Sequence, residues 1–369
     1  MATLLSVDEA RRLILERVTP LPSELVSLAE AAGRVLAEDA RATVDLPPFP
    51  SSAMDGFALR AADAPGRLPV VARIAAGQPA PRPLAAGEAM GIATGGVVPE
   101  GADAVVPIEV VTDAGEAVEV PSVETGAHVR PRGGDLARGG VVVDAGVILR
   151  PAHLAALAAV GIAEVACARR PLAAVVTTGS ELRRPGESLA PGQIFESNGV
   201  MLAAALASAS AAVEPQVSVA DDETAHREAL ERGLEADALV TSGGVSVGPH
   251  DLVRRIEREL GVEEVFWRVA VKPGKPISFG VRGSTLVFGL PGNPVSSLVG
   301  FELFVRPALL ALQGVPTAAP AFRPGRCFGR ACSGRAFAVT ASGTSSCGRA
   351  CGATATASCS SRSRVRSRT

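Results

Sequence analysis

The sequence predicts a multi-domain α/β protein, with a β-rich domain in its first half and a doubly wound α/β domain in its second. Three observations carry this. From about residue 170 to residue 314, short apolar runs rich in β-branched residues alternate with helical patterns, the arrangement that builds a parallel sheet covered by helices. Residues 45–135 have a different character: Pro and Gly recur every few residues between short runs such as 70–74 and 104–111, which reads as strands joined by turns. From Thr317 onward both patterns stop.

Each element has its own signal. Ser6-Val-Asp-Glu9 is a capping box ahead of Ala10, Leu13, Ile14 and Val18 at helical spacing. Ser27-Leu-Ala-Glu30 repeats that signal and predicts a second helix ending near Glu38. Pro151 suits the first turn of a helix that runs to about Val160 and is stopped by Gly161. In the second half the strands expected are 172–177, 213–219, 238–241 and 264–269, and the helices 197–207, 223–235, 249–260 and 293–312. A hairpin of 277–280 and 286–288 around Arg282-Gly283 precedes the last helix.

Composition narrows the function classes. The chain has 369 residues, 47% hydrophobic and 20% charged, which is ample for sizeable cores. Aromatics are only 3%, with no tyrosine, so Ala, Val and Leu must fill those cores. No uninterrupted apolar run approaches a membrane span, and residues 154–163 are the longest candidate. No signal-peptide layout is present, so a cytoplasmic location is expected. Nine arginines and no acid lie beyond residue 316, so the first 316 residues hold the other 27 basic residues against 38 acids, a net of −11. An acidic body offers no basis for nucleic-acid binding.

Three of the strand candidates end in glycine with Ser, Thr or Asn: Val175-Val-Thr-Thr-Gly-Ser-Glu181, Thr241-Ser-Gly-Gly-Val-Ser-Val-Gly248 and Gly289-Leu-Pro-Gly-Asn-Pro-Val-Ser296. Such loops let backbone N–H groups and helix N-termini approach an anion. Of 36 basic residues only Lys272 and Lys275 are lysines, in Val271-Lys-Pro-Gly-Lys-Pro276. Lysine is a compact point charge with rotatable donors, whereas arginine is a broad planar fork. Two lysines three apart, beside three glycine-rich strand ends, point to a phosphate or oxyanion site.

Together with Pro50-Ser-Ser-Ala-Met-Asp-Gly-Phe57, Ile92-Ala-Thr-Gly-Gly-Val-Val-Pro99, Val129-Arg-Pro-Arg-Gly-Gly-Asp135 and Gly192-Gln-Ile-Phe-Glu-Ser-Asn198, these motifs resemble the signature set of the MoeA family, the molybdopterin molybdenumtransferases, which resemble the E domain of gephyrin. The resemblance covers roughly residues 5–315, in family order. It implies a helical linker region of residues 1–44 and 136–168, a β-rich domain at 45–135 and a molybdopterin-binding α/β domain at 169–316. It also implies a homodimer that inserts molybdate into adenylylated molybdopterin, with Mg²⁺-dependent hydrolysis of the adenylate and release of AMP. The molybdopterin adenylyltransferase and apo-molybdoenzymes are the partners it suggests.

The residues match that chemistry. Lys272 and Lys275 are the oxyanion clamps, and Ser296 has a hydroxyl to donate nearby. Thr178, Gly179, Ser242, Gly243, Gly244, Ser246, Gly248, Pro291, Gly292, Asn293 and Pro294 form the cofactor-binding loops. Asp251, Glu181 and Asp221 are the candidate Mg²⁺ ligands, since carboxylate oxygens suit a hard cation. Each has a plainer reading: Asp251 as a first-turn acid, Glu181 as a surface loop acid, Asp221 or Asp222 as a helix cap. Asp55, Thr94 and Asp135 join the catalytic set through the resemblance, completing the cleft of a partner subunit; Met54-Asp55-Gly56-Phe57 reads equally as a turn. No nucleophile triad stands out, so catalysis is expected to be electrostatic and positional.

The last 53 residues lack Leu and Ile and are dominated by Ala, Ser, Arg, Gly, Thr and Cys. Family members carry a small β-rich domain in this place. The composition is that of a GC-rich gene read out of frame, with a disordered extension or a Cys tract for metal as alternatives. Rival functions follow. The adenylyltransferase of the same pathway lacks a region like residues 1–165. A scaffold or binding protein of the gephyrin type, and a chain that binds molybdopterin without inserting metal, are the other two.

Overall fold

The computed structural model describes residues 4–220, 222–244 and 252–316. The tail beyond residue 316 lies outside the described residues. Helix α1 (Val7–Leu15) opens on the expected capping box: Ser6 Oγ accepts from Glu9 N, and the Glu9 carboxylate accepts from Ser6 N at 2.9 Å. Its buried residues Ala10 and Ile14 pack into the core of the α/β domain, although the expected boundaries group this segment with the linker.

The helix expected after Ser27 does not form. The segment instead is β1 (Ser23–Ser27), a turn, and an extended run toward β2 (Ala40–Arg41). Ser27 Oγ does donate to the Glu30 carboxylate at 2.8 Å, but the local signal is overridden by pairing at long range. All five residues of β1 pair with a strand at 164–168, and Val35 and Leu36 bridge to Ile148 and Cys167.

The β-rich unit is as expected. Strands β3 (Ser51–Ser52), β4 (Gly56–Leu59), β5 (Gly66–Ile74), β6 (Ala89–Ile92), β7 (Ala104–Pro107), β8 (Thr112–Asp113), β9 (Ala117–Val120) and β10 (Val129–Arg130) follow one another. Six form one sheet in the order β7-β4-β6-β5-β9-β8. Side chains alternate across it, so Phe57 and Leu59 enter one cluster with Val106 and Val118, while Ala58 enters another with Met90 and Val105. The chain then returns through β11 (Val141–Val143), which pairs β2, helix α2 (Pro151–Ala159), and β12 (Glu164–Ala168), which pairs β1.

The second half is a seven-stranded sheet. It contains β13 (Leu172–Thr178), then β14 (Leu182–Arg183) and β15 (Ile194–Phe195) as a separate small pair, α3 (Asn198–Ser208), β16 (Ala212–Val213), β17 (Val217–Val219), α4 (Glu223–Gly233), β18 (Ala238–Ser242), α5 (Leu252–Glu259), β19 (Glu263–Trp267), β20 (Ser278–Arg282), β21 (Thr285–Leu290), α6 (Pro294–Gly300) and α7 (Arg306–Leu312). The order is β16-β13-β18-β21-β20-β19, with β17 also on β13. Only β20 runs against its neighbours. Two apolar layers cover its two faces.

Two expected elements are divided. The strand foreseen at 213–219 breaks around Pro215, which cannot donate to a ladder. The helix foreseen at 293–312 contains a π-helical turn, Phe301–Val305, just before Pro307. Among the described residues the run Pro294–Leu312 is long and apolar enough to cross a membrane. Glu302 and Arg306 interrupt its apolar run. In the fold those two pair with each other at 2.7 Å, and Phe301, Phe304, Val305, Ala308, Leu309 and Leu312 are buried in the core.

Candidate active site

β13, β18 and β21 are adjacent and parallel, with Thr177 in register with Ser242 and Ser242 with Leu290. Their three glycine-rich loops therefore leave the sheet side by side, at the edge where open α/β sheets bind ligands. The loops are closely packed. Gly243 has φ +95, and a Cβ placed there would lie 2.6 Å from the Thr178 carbonyl oxygen and 2.8 Å from Thr178 Oγ1.

A buried amide ties the loops together. Asn198, in the first turn of α3, donates from Nδ2 to Ser242 Oγ at 2.9 Å and to the Gly292 carbonyl at 2.7 Å. Ser242 Oγ lies 3.3 Å from Ser297 Oγ, and Ser297 donates to the Pro291 carbonyl at 2.6 Å. Asn293 caps α6 by accepting from Ser296 N at 3.2 Å, with Pro294 in the first turn. The Ser296 hydroxyl, expected to serve a ligand, is buried and turned toward Asn293 Oδ1 at 3.4 Å.

Lys272 and Lys275 are exposed. Their loop is closed by Val269 N and Ile277 N, which donate to the Lys275 carbonyl at 3.2 and 3.1 Å. A methyl at Gly274 would lie 3.5 Å from the Ser296 carbonyl, so the loop rests on the first turn of α6. Among the described residues neither lysine has a carboxylate partner, whereas Arg82 and Arg169 form two-pronged pairs with Glu88 and Asp237. Glu181 is exposed, and among the described residues it too makes no ion pair. Its carboxylate folds back over Gly179, where a Cβ would meet it at 2.6 Å. At the ends of β13 and β17 lies a cleft of about 550 Å³, lined by Gly179, Arg183, Arg184, Glu196, Gln216 and Val219 among others. Among the described residues the edge thus offers cations without carboxylate partners at one end and a carboxylate without an ion pair beside a cleft at the other.

Comparison with known proteins decides the family. Residues 5–161 match the MoeA N-terminal region (domain I and II), and residues 174–311 match a probable molybdopterin binding domain. The chain belongs to the MoeA family. It is 41% identical over 327 residues to molybdopterin molybdenumtransferase 2 of Mycobacterium tuberculosis, covering 84% of this chain and 80% of that protein. It is 37% identical over 317 residues to the molybdopterin molybdenumtransferase of Haemophilus influenzae, covering 84% and 78%. A crystal structure of a molybdopterin biosynthesis MoeA protein from Pyrococcus horikoshii superposes with a TM-score of 0.72 at 33% identity, covering 85% of this chain and 80% of that one.

The remaining residues expected from the MoeA motifs fall into two groups. Asp55 and Thr94, 39 positions apart, meet in the β-rich unit: the Asp55 carboxylate accepts from Thr94 N at 2.6 Å and from Thr94 Oγ1 at 3.0 Å. The backbone N–H first, and then the hydroxyl, hold the Asp55 carboxyl below the usual carboxylate range. Asp135 is exposed and pairs with Arg130. Among the described residues no hydrogen bond or ion pair joins these three to the sheet edge of their own chain. Asp221, Ser246, Gly248 and Asp251 lie outside the described residues.

Sequence reasoning missed Asn198 and Glu196, although both stand in a quoted motif. Glu196 is buried, accepting from Gly199 N at 2.6 Å and from Gln216 Nε2 at 2.9 Å. An Asn or Glu opening a helix reads locally as a cap. Nothing in the spacing reveals that Asn198 reaches residues 44 and 94 positions away.

Proposed function

We propose that this MoeA-family chain transfers molybdenum from molybdate into adenylylated molybdopterin, with hydrolysis of the phosphoanhydride by water and release of AMP. Its place is molybdenum cofactor biosynthesis. The observation that carries the reading is a pair of lysines, Lys272 and Lys275, exposed and without a carboxylate partner among the described residues, at a sheet edge where three glycine-rich loops converge. The substrates bring several anions together: two linked phosphates and a tetrahedral metal oxyanion. Point charges with rotatable donors, aided by backbone N–H groups, neutralise such anions and hold them in reacting order.

Among the described residues no group of three or more metal-ligating side chains occurs, so Mg²⁺ would take most of its coordination from substrate and water. Magnesium is typically held by one or two carboxylates together with substrate phosphates and water, and Glu181 offers an exposed carboxylate, without an ion pair among the described residues, beside the cleft. Glu181 would hold the ion, with Asp221 and Asp251 as further candidates. The ion would neutralise charge on the phosphoryl oxygens as the anhydride breaks. Thr178, Gly179, Ser242, Gly243, Gly244 and Gly292 would place the substrate, and Lys272 and Lys275 would hold the oxyanion. Asn198 ties the Ser242 and Gly292 loops to the first turn of α3.

The working form in this reading is a homodimer. Asp55, Thr94 and Asp135 are exposed and, among the described residues, bonded within their own unit, which supports their acting on the crevice of a second copy. A cytoplasmic location, an adenylyltransferase upstream and apo-molybdoenzymes downstream complete the reading. The test supplies the purified chain with adenylylated molybdopterin, Mg²⁺ and molybdate, and measures both AMP release and activation of an apo-molybdoenzyme. Activation that depends on the chain and on molybdate is expected. Tight binding of molybdopterin with neither AMP release nor activation would refute the enzyme and leave a binding protein.

A further inference from the structure

Glu196 is a buried carboxylate that the proposed chemistry leaves unused. Only 3% of its surface is exposed, and among the described residues it makes no ion pair. A carboxylate is expensive to take out of water unless hydrogen-bond donors surround it. The fold supplies two: Oε1 accepts from Gly199 N at 2.6 Å and Oε2 from Gln216 Nε2 at 2.9 Å. Gln216 lies over the first turn of α3, where a Cβ at Gly199 would stand 2.8 Å from its amide. A carboxylate has about four acceptor positions, so each oxygen keeps one for a further N–H. Glu196 and Gln216 both line the cleft of about 550 Å³ at the ends of β13 and β17. A residue so buried belongs to the floor of that cleft and not to its rim.

The cleft is continuous with the glycine-rich edge on one face of the sheet. Thr177 is in register with Ser218, which lines the cleft, and with Ser242 on its other side. Residues in register on parallel strands project to the same face, and α3 covers that face through Leu202 and Leu206. Two further polar atoms here are buried and, among the described residues, without a partner: Thr177 Oγ1 and Asn198 Oδ1. The other end of the Asn198 amide is spent on Ser242 and Gly292. A polar strip thus runs from Glu196 and Gln216, past Thr177, to Ser242 and the Gly292 loop. Its cleft end holds a carboxylate with acceptor positions to spare. Its far end meets α6, on whose first turn the loop of Lys272 and Lys275 rests.

We infer that Glu196 reads the pyrimidine edge of the pterin, accepting from its 2-amino group and the adjacent ring N–H, with the ring seated in the cleft and the phosphates directed along the strip toward Lys272 and Lys275. The inference rests on the proposed function of the same site. A carboxylate takes two parallel N–H groups from such an edge as it does from a guanidinium, and the cleft has the volume of a small-molecule site. Guanine carries the same edge on a different ring. Equilibrium dialysis of the full chain with 6-methylpterin, its 2-oxo counterpart 6-methyllumazine, and guanosine tests the inference in wild type, Glu196→Gln and Glu196→Asp. Wild type should bind the pterin about tenfold more tightly than the lumazine, the difference expected of a charge-assisted hydrogen bond, and more tightly than guanosine. Glu196→Gln should abolish the preference over lumazine, because its amide donates where a 2-oxo group accepts. Glu196→Asp keeps the carboxylate one methylene short and should retain part of the preference. A Glu196 that only holds the start of α3 would weaken both pteridines alike, and that result overturns the inference. Wild type that shows no preference for the pterin overturns it too, even where the Gln variant fails to fold, as does tighter binding of guanosine. AMP release and activation of an apo-molybdoenzyme read the proposed function separately: both intact in a wild type without pterin preference leave that function standing and remove Glu196 from it.

Discussion

Gly243→Ala should destabilise the α/β domain and distort the site at once. Gly243 has φ +95, a conformation that costs an L residue about 1–2 kcal/mol. The new Cβ would also stand 2.6 Å from the Thr178 carbonyl oxygen, a backbone atom at the end of a buried strand. Ordinary contact is near 3.4 Å or more, so the two loops must part by most of an ångström. Forcing an extra methyl into close packing costs about 1–3 kcal/mol, which brings the sum to about 2–5 kcal/mol. Gly186→Ala is the control: its φ is +96, but nothing lies within 4 Å of the added Cβ, so only the backbone part should remain. At about 2–4 °C per kcal/mol for a domain of this size, Gly243→Ala should melt about 4–20 °C below wild type and Gly186→Ala about 2–8 °C below it. Scanning calorimetry of the full chain, followed through the α/β transition, makes the comparison. Equal shifts for the two variants would refute the close approach of the Thr178 and Gly243 loops.

Lys275→Arg should insert molybdenum at a small fraction of the wild-type rate although charge is conserved, because a planar fork does not replace a compact ammonium; full reconstitution of an apo-molybdoenzyme would sink that argument. The Asp55 carboxyl is held below its usual range by Thr94. Its contribution to stability is therefore present above the unfolded pKa of about 4 and is lost as pH falls through the lower folded value. Melting followed between about pH 5 and pH 3 should show a smaller acid loss in Asp55→Asn than in wild type, and parallel curves would exclude the Thr94 interaction. Mixing inactive Asp55→Ala with inactive Lys275→Ala subunits should restore part of the activity, since one of two composite clefts becomes intact. No recovery, with subunit exchange demonstrated, would place the whole site within one chain.

Much of the site was legible because parallel strands write it locally. A β-branched run that ends in Thr-Gly, Ser-Gly-Gly or Pro-Gly-Asn declares both a buried strand and a crevice at its end. Adjacent parallel strands then deliver such ends to one edge, as Thr177, Ser242 and Leu290 show in register. The capping box at Ser6 and the stop at Gly161 were equally local, each resting on groups within one turn. Lys272 and Lys275 stood out by residue type alone.

What the tertiary structure decided depends on pairs far apart in the chain. Ser27 and Glu30 bond as a capping pair should, yet β1 forms because Glu164–Ala168 is there to pair with it. α1 looks like part of a linker, but Ala10 and Ile14 find their apolar surface in the α/β core. Asn198 looks like a helix-opening residue, and only folding brings Ser242 and Gly292 to its amide. Glu196 looks like a surface acid ahead of a helix until its buried bonds to Gly199 and Gln216 and its place in the cleft are seen together. Periodicity and turn chemistry act over a few residues, and the sequence carries them openly. Strand partners, buried hydrogen bonds and unpaired charges are settled by contacts closed over tens to hundreds of residues, where one local signal yields to the burial and pairing of the whole.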